Sequence, residues 1–103
     1  MAALTINLGT DGGLDLATID TAAASGAGDT FLNDGKTMFF VTNGSGGSIN
    51  VTFAAVVDKV VAVGAGLTLA FMLNAGTYNN PSGSVVVTYS AVTSVTVGAI
   101  SYA

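Results

Sequence analysis

The clearest signal along this chain is alternation with a period of two. Residues 48–53 alternate polar Ser48, Asn50 and Thr52 with apolar Ile49, Val51 and Phe53, the mark of a strand with one buried face. Leu67, Leu69, Phe71 and Leu73 share one face of another strand. Val85, Val87 and Tyr89 lie opposite Val86, Thr88 and Ser90 in the next run, which continues with Val95 and Val97 opposite Ser94, Thr96 and Gly98. Near the start, Leu4, Ile6 and Leu8 alternate with Ala3, Thr5 and Asn7. Residues 36–42 instead place Met38, Phe39, Phe40 and Val41 in succession, as suits a strand covered on both faces.

Turn formers separate these runs. Asn33-Asp34-Gly35 supplies the positive φ angles of a tight hairpin. Asn43-Gly44-Ser45-Gly46-Gly47 reads as a hairpin loop, and Gly64-Ala65-Gly66 does likewise for the runs 60–63 and 67–73. Asn79-Asn80-Pro81-Ser82-Gly83 introduces the final pair of strands. Only residues 22–28 have the composition for a helical turn, and their Ser and two Gly predict a loop instead. No internal repeat or linker divides the chain. Short strands at this spacing predict an all-β single-domain fold over residues 1–103, a β-sandwich or jelly-roll-like arrangement of about seven to nine short antiparallel strands. Residues 1–30 are expected as an extended N-terminal arm.

Composition then removes most chemistry. Of 103 residues, only 8% are charged, six Asp and two Lys, against about 25% in an average domain. With no Cys there is no disulfide framework, zinc ribbon or thiol nucleophile. With no His there is no imidazole base or imidazole-ligated metal. Two Lys, no Arg and a net charge of −4 leave nothing to neutralise a phosphate backbone, so no nucleic-acid partner is expected. The mean hydropathy of +0.70 raises the question of a membrane. The longest apolar stretch, 60–73, is broken by Gly64, Gly66 and Thr68 and falls short of the roughly 18 residues a spanning helix needs. The start of the chain lacks the positive region and apolar core of a signal peptide. The reading is a soluble protein, with no membrane partner, that does not use the general secretory route.

The remaining candidates for chemistry each have a plainer explanation. Gly44 to Gly47 resembles a phosphate cradle, but no Lys follows and both flanks are strands. Asp11-Gly12-Gly13-Leu14-Asp15 hints at a calcium loop, yet Leu16 and Ala22 stand where an EF-hand needs Gly and Glu. Asp20-Thr21-Ala22 and Asp29-Thr30-Phe31 lack the Gly that follows Asp-Thr in aspartic proteases. Asn43-Gly44-Ser45 and Asn50-Val51-Thr52 match the glycosylation sequon, which is idle without export. Phe31, Phe39, Phe40, Phe53 and Phe71 read as core or interface residues. Tyr78, Tyr89 and Tyr102 have the chemistry of a sugar platform but lack the charged neighbours that usually accompany one. No catalytic, cofactor-binding or metal-binding residues are assigned, no cofactor is expected, and the chain reads as a non-enzyme.

Two stretches resemble a known group. Phe31-Leu32-Asn33-Asp34-Gly35-Lys36-Thr37, continued by Val41-Thr42-Asn43-Gly44 and Ile49-Asn50-Val51-Thr52, is similar to small virion proteins of tailed bacteriophages. Val87-Thr88-Tyr89-Ser90-Ala91-Val92-Thr93-Ser94-Val95-Thr96-Val97 resembles the ending of the same group, and Val61-Ala62-Val63-Gly64-Ala65-Gly66 matches a strand closing on Ala-Gly between them. The chain departs from the group at Ala70-Phe71-Met72, where a Gly-Pro-Phe is expected. The resemblance implies a capsid decoration (cement) protein on the outer capsid surface of the virion, made in the bacterial host cytoplasm. Its partners would be the major capsid protein and itself, as a homotrimer at threefold positions of the shell.

The composition supplies its own reason for self-association. A domain of this size buries only about 60–68% of its unfolded surface, and eight charges cover little of the rest. The expected interface is apolar and nearly free of Asp and Lys, with a short edge strand or terminal arm such as 1–8 or 97–103 docking on a neighbour. The competing expectation is a carbohydrate- or host-surface-binding module on a virion appendage, using Tyr and Asn side chains. A hydrolase built on paired Asp residues is the third.

Overall fold

The computed structural model describes residues 2–8 and 22–101. It is an all-β sandwich. Ten strands occur among the described residues: β1 (Ala2–Ala3), β2 (Ile6–Leu8), β3 (Ala22–Ala23), β4 (Asp29–Leu32), β5 (Thr37–Asn43), β6 (Ile49–Phe53), β7 (Lys59–Val63), β8 (Thr68–Met72), β9 (Ser84–Tyr89) and β10 (Val95–Ser101). One sheet has the order β1-β4-β9-β6-β7. The other has β2-β10-β5-β8, with β3 beside β2 on the same edge of β10.

The period-two reading holds where it was clearest. Phe31, Phe39, Val41, Ile49, Val51, Phe53, Val63, Val85, Val87, Val95 and Val97 point between the sheets and are buried. Aromatic rings run through this core. Phe31 stacks on Phe39 at 4.8 Å, Phe39 meets Phe53 edge-on at 5.9 Å, and Phe53 meets Phe71 at 4.8 Å. Leu69, Phe71 and Leu73 join the core as expected, whereas Leu67 sits in a turn and is 51% exposed. The run 38–41 does place apolar groups on both faces of β5. Phe39 and Val41 enter the core, and Phe40 forms a second small cluster with Ile100 and Met38 on the outer side.

The partners of the strands differ from expectation. Asn33–Gly35, the Gly44–Gly47 loop and Gly64–Gly66 are not hairpin turns. Each carries the chain from one sheet to the other, and so does the connection from β9 to β10. Gly35 and Gly66 do have the expected positive φ, at 87° and 76°, but a tight turn suits an arch between sheets as well as a hairpin. The consecutive pair that does form a hairpin is β6–β7, closed by Asp58 Oδ1 accepting the amide of Ala55 at 3.0 Å.

Three further differences have local causes. The two N-terminal strands pair in parallel, β1 with β4 and β2 with β10, so residues 2–8 lie against their own sheets. Residues 29–30 of the expected arm belong to β4, and Val97 and residues 99–101 are paired on both sides, so neither terminus is a free docking arm at these positions. Ala22 and Ala23, expected as loop, add to the edge of β10 through their backbone, which needs no β propensity from the side chain. A four-residue helix, α1 (Ala75–Tyr78), occurs where none was expected; Asn74 caps it by accepting the Gly76 amide at 2.8 Å.

Candidate functional site

The strands define two ends. At one lie the start of β4 and the loops 24–28, 44–48, 64–67 and 90–94. At the other lie the loops 33–36, 54–58 and 73–83.

The first end is knitted together by Asn43, whose side chain is fully buried at the close of β5. Its Nδ2 donates to the carbonyls of Gly47 at 2.8 Å and Val63 at 2.9 Å. Its Oδ1 accepts the Ser45 amide at 3.0 Å and faces the Ser45 hydroxyl at 2.6 Å. Its backbone bonds to Leu67 O and Gly66 N, and Gly44 N donates to Ser94 O at 2.8 Å. The amide side chain ties the 44–48 loop to the end of β7, and the backbone of Asn43 and Gly44 adds the 64–67 and 90–94 loops. The sequon reading fails at Asn43 because Nδ2 is buried and doubly engaged; Asn50 is exposed on β6. The phosphate-cradle reading fails for a related reason. The amides of Gly44 and Ser45 are spent on protein acceptors, and a Cβ on Gly44 would lie 2.8 Å from Ser94 O.

Asp29 sits at the same end, fully buried. Its Oδ2 accepts the Tyr89 hydroxyl at 2.6 Å and the Ser25 amide at 3.3 Å, while Oδ1 has no partner. Burial, and then the bond and charge of Asp29, push the Tyr89 phenol well above its usual range. This pair locks the 24–28 turn onto β4 and β9. Among the described residues no second carboxylate stands beside Asp29, because Asp34 and Asp58 lie at the opposite end. The other carboxylates weighed from sequence, Asp11, Asp15 and Asp20, lie outside the described residues, as does Tyr102. No group of three metal-ligating side chains assembles among the described residues.

The second end is held by other asparagines. Asn33, 4% exposed, donates to Leu73 O at 2.9 Å and accepts the Gly35 amide at 3.1 Å. Asn79 Nδ2 donates to Asn33 O at 2.6 Å, and Asn80 Oδ1 accepts the amides of Ser82 and Ser84. Asp34 Oδ1 accepts the Lys36 amide and the Thr37 hydroxyl, and the Lys36 amide foremost holds this carboxyl below its usual range. An open cleft of about 340 Å³ lies between residues 54–56, α1, Asn79, Asn80 and Val86. It contains no ionised side chain. Tyr78, on its wall, turns its ring against Phe53 at 6.4 Å. With Tyr89 bound to Asp29, two of the three candidate sugar-platform rings face inward.

What these residues leave outside is the notable chemistry of the surface. The outer face of the first sheet presents Thr30, Leu32, Asn50, Thr52, Val60, Ala62, Val86 and Thr88; that of the second presents Met38, Thr42, Thr68, Ala70, Met72 and Thr96. Among the described residues, neither face carries an ionised group. The four exposed charged side chains among the described residues, Asp34, Lys36, Asp58 and Lys59, all cluster at the second end. Composition indicates scarcity of charge, and the fold adds where the exposed charges of the described residues lie. Comparison with protein-family models, curated proteins and solved structures finds no match to this chain.

Proposed function

We propose that this chain is a structural virion protein, a capsid decoration or cement protein that bridges major capsid subunits on the outside of a phage head. The observation carrying the reading is the segregation of charge. Among the described residues, both sheet faces and the loops of one end carry no exposed charge, and the exposed Asp and Lys gather at the other end. Charge depletion marks the centres of protein–protein interfaces, and lasting burial in an assembly removes the aggregation hazard of such faces. The buried polar residues Asn43, Asn33 and Asp29 are engaged in holding loops, which leaves a rigid body suited to bridging rather than to turnover. In this reading the protein acts as a homotrimer, and its charged end points to solvent.

The test is co-sedimentation with heads assembled without a decoration protein. Saturable binding that raises the temperature at which the heads release their contents supports the reading. Absence of binding to heads, together with binding to a glycan array, transfers the protein to the adhesin class.

A further inference from the structure

Among the described residues, the two flanks of the sandwich end differently. On one, β1 covers β4, β2 and β3 cover β10, and Leu4 and Ile6 pack against the core. On the other, β7 and β8 are the last strands of their sheets. Beyond Lys59 at the start of β7, neither has the usual protection of an edge among the described residues. β8 contains no charge and no Pro, and the one charge on β7 is Lys59 at its first residue. The core is also unfinished on this flank. Val61, Leu69 and Phe71 point inward but are only half-buried, and the adjoining Val60 and Met72 are 55% and 68% exposed.

The two edges fit each other. Both strands have five residues, and they run in opposite directions, β7 away from the charged end and β8 back toward it. A rotation axis parallel to the strands therefore sets β7 of one copy antiparallel to β8 of the next. Keeping inward faces with inward faces gives the register Val60 opposite Met72, Val61 opposite Phe71, Ala62 opposite Ala70 and Val63 opposite Leu69. These four pairs are apolar, and the next position outward sets Lys59 opposite Leu73 at the charged end. Asp58 and Lys59 stay at the solvent end. The molecule measures 36 × 35 × 19 Å, so the outline of a flank is at most roughly 670 Å², at the lower end of the roughly 600–1,000 Å² per partner of a specific interface.

We infer that the β7–β8 flank is the self-association surface, pairing β7 of each copy with β8 of the next around a closed cyclic homo-oligomer. This deepens the self-association in the function proposed above and is tested on the protein alone, so failure to bind heads leaves it untouched. Because the chain has no Cys, an Ala62→Cys, Ala70→Cys double variant reports the register directly. Mild oxidation should yield a covalent ring of the same size as the solution oligomer, while either single variant stays uncross-linked. Cross-linking of a single variant as readily as the double, or none in a double variant with native circular dichroism, overturns the inference. Val60→Lys and Met72→Lys, both at well-exposed positions, should sediment as monomers with unchanged spectra. Leu32→Lys, at a site 62% exposed on β4, should leave the oligomer intact. A wild-type chain that is monomeric at 100-micromolar-scale concentration ( places weak association there) also overturns it.

Discussion

Replacing Asn43 with Ala tests how one amide organises an entire end of the sandwich. The substitution removes donors to two carbonyls and the acceptor of Ser45. Gly47 is exposed, so its carbonyl regains water and that loss is about 1 kcal/mol. Val63 is fully buried, and its carbonyl loses the side-chain donor in a site water does not reach, at about 1–3 kcal/mol. Releasing Ser45 adds about 1 kcal/mol. The expected loss is therefore about 3–5 kcal/mol, a large share of the 5–15 kcal/mol typical of a domain. Urea unfolding should show a lower midpoint at unchanged slope. The thermal midpoint should drop by roughly 12 °C or more, at 4–8 °C per kcal/mol for a domain of this size. Asn50→Ala, at an exposed position on β6, should stay within about 0.5 kcal/mol of the parent. A loss below about 1 kcal/mol for Asn43→Ala, or equal losses at both sites, refutes the reasoning.

Gly44→Ala should cost about 1–3 kcal/mol in the same unfolding experiment, because its Cβ would meet the Ser94 carbonyl at 2.8 Å; a neutral result contradicts the close approach. Tyr89→Phe should cost about 1.5–3 kcal/mol by leaving the buried Asp29 carboxylate with the Ser25 amide as its remaining donor. Tyr89 also sets an alkaline limit. Its folded pKa is raised, so its contribution is complete below the unfolded value of about 10 and is lost as pH climbs from there toward the folded value. Stability measured from pH 8 to 11.5 should fall above about pH 10 in the parent and fall less steeply in Tyr89→Phe; equal slopes contradict the assignment.

The strands were legible because burial imposes a period of two, and the well-patterned runs from Phe31 to Val97 found their inward faces as read except at Leu67, which precedes β8 and is exposed. Their partners were not. An arch between sheets and a hairpin within one both ask for Gly and Asn at the turn, so Gly64-Ala65-Gly66 carries no sign that it hands the chain from β7 to a different sheet. The parallel pairing of residues 2–8 was equally silent, since a two- or three-residue strand is captured by a neighbouring edge rather than by its own side chains. Asn43 was seen as a turn residue and a sequon, although its full burial depends on loops 20 and 50 residues distant. The α1 turn had one legible sign, Asn74 in the capping position, hidden by the strand pattern before it. For function, the sequence spoke mainly through what it lacks. Where the exposed charges of the described residues cluster is a property of topology, and so is the pair of edges formed by β7 and β8.

The central claim is that uncharged surfaces make the contacts of this protein, with its charged end left in water. The most direct measurement is the affinity for undecorated heads as sodium chloride rises from 50 mM to 1 M. Salt at the upper limit shrinks the screening length to about 3 Å and quenches exposed ion pairs, whereas apolar contact is unaffected or strengthened. The account predicts a dissociation constant that changes by less than about threefold and does not weaken steadily with salt. A loss of affinity of tenfold or more, abolished by neutralising Lys36 and Lys59, would place the contact at the charged end and contradict it.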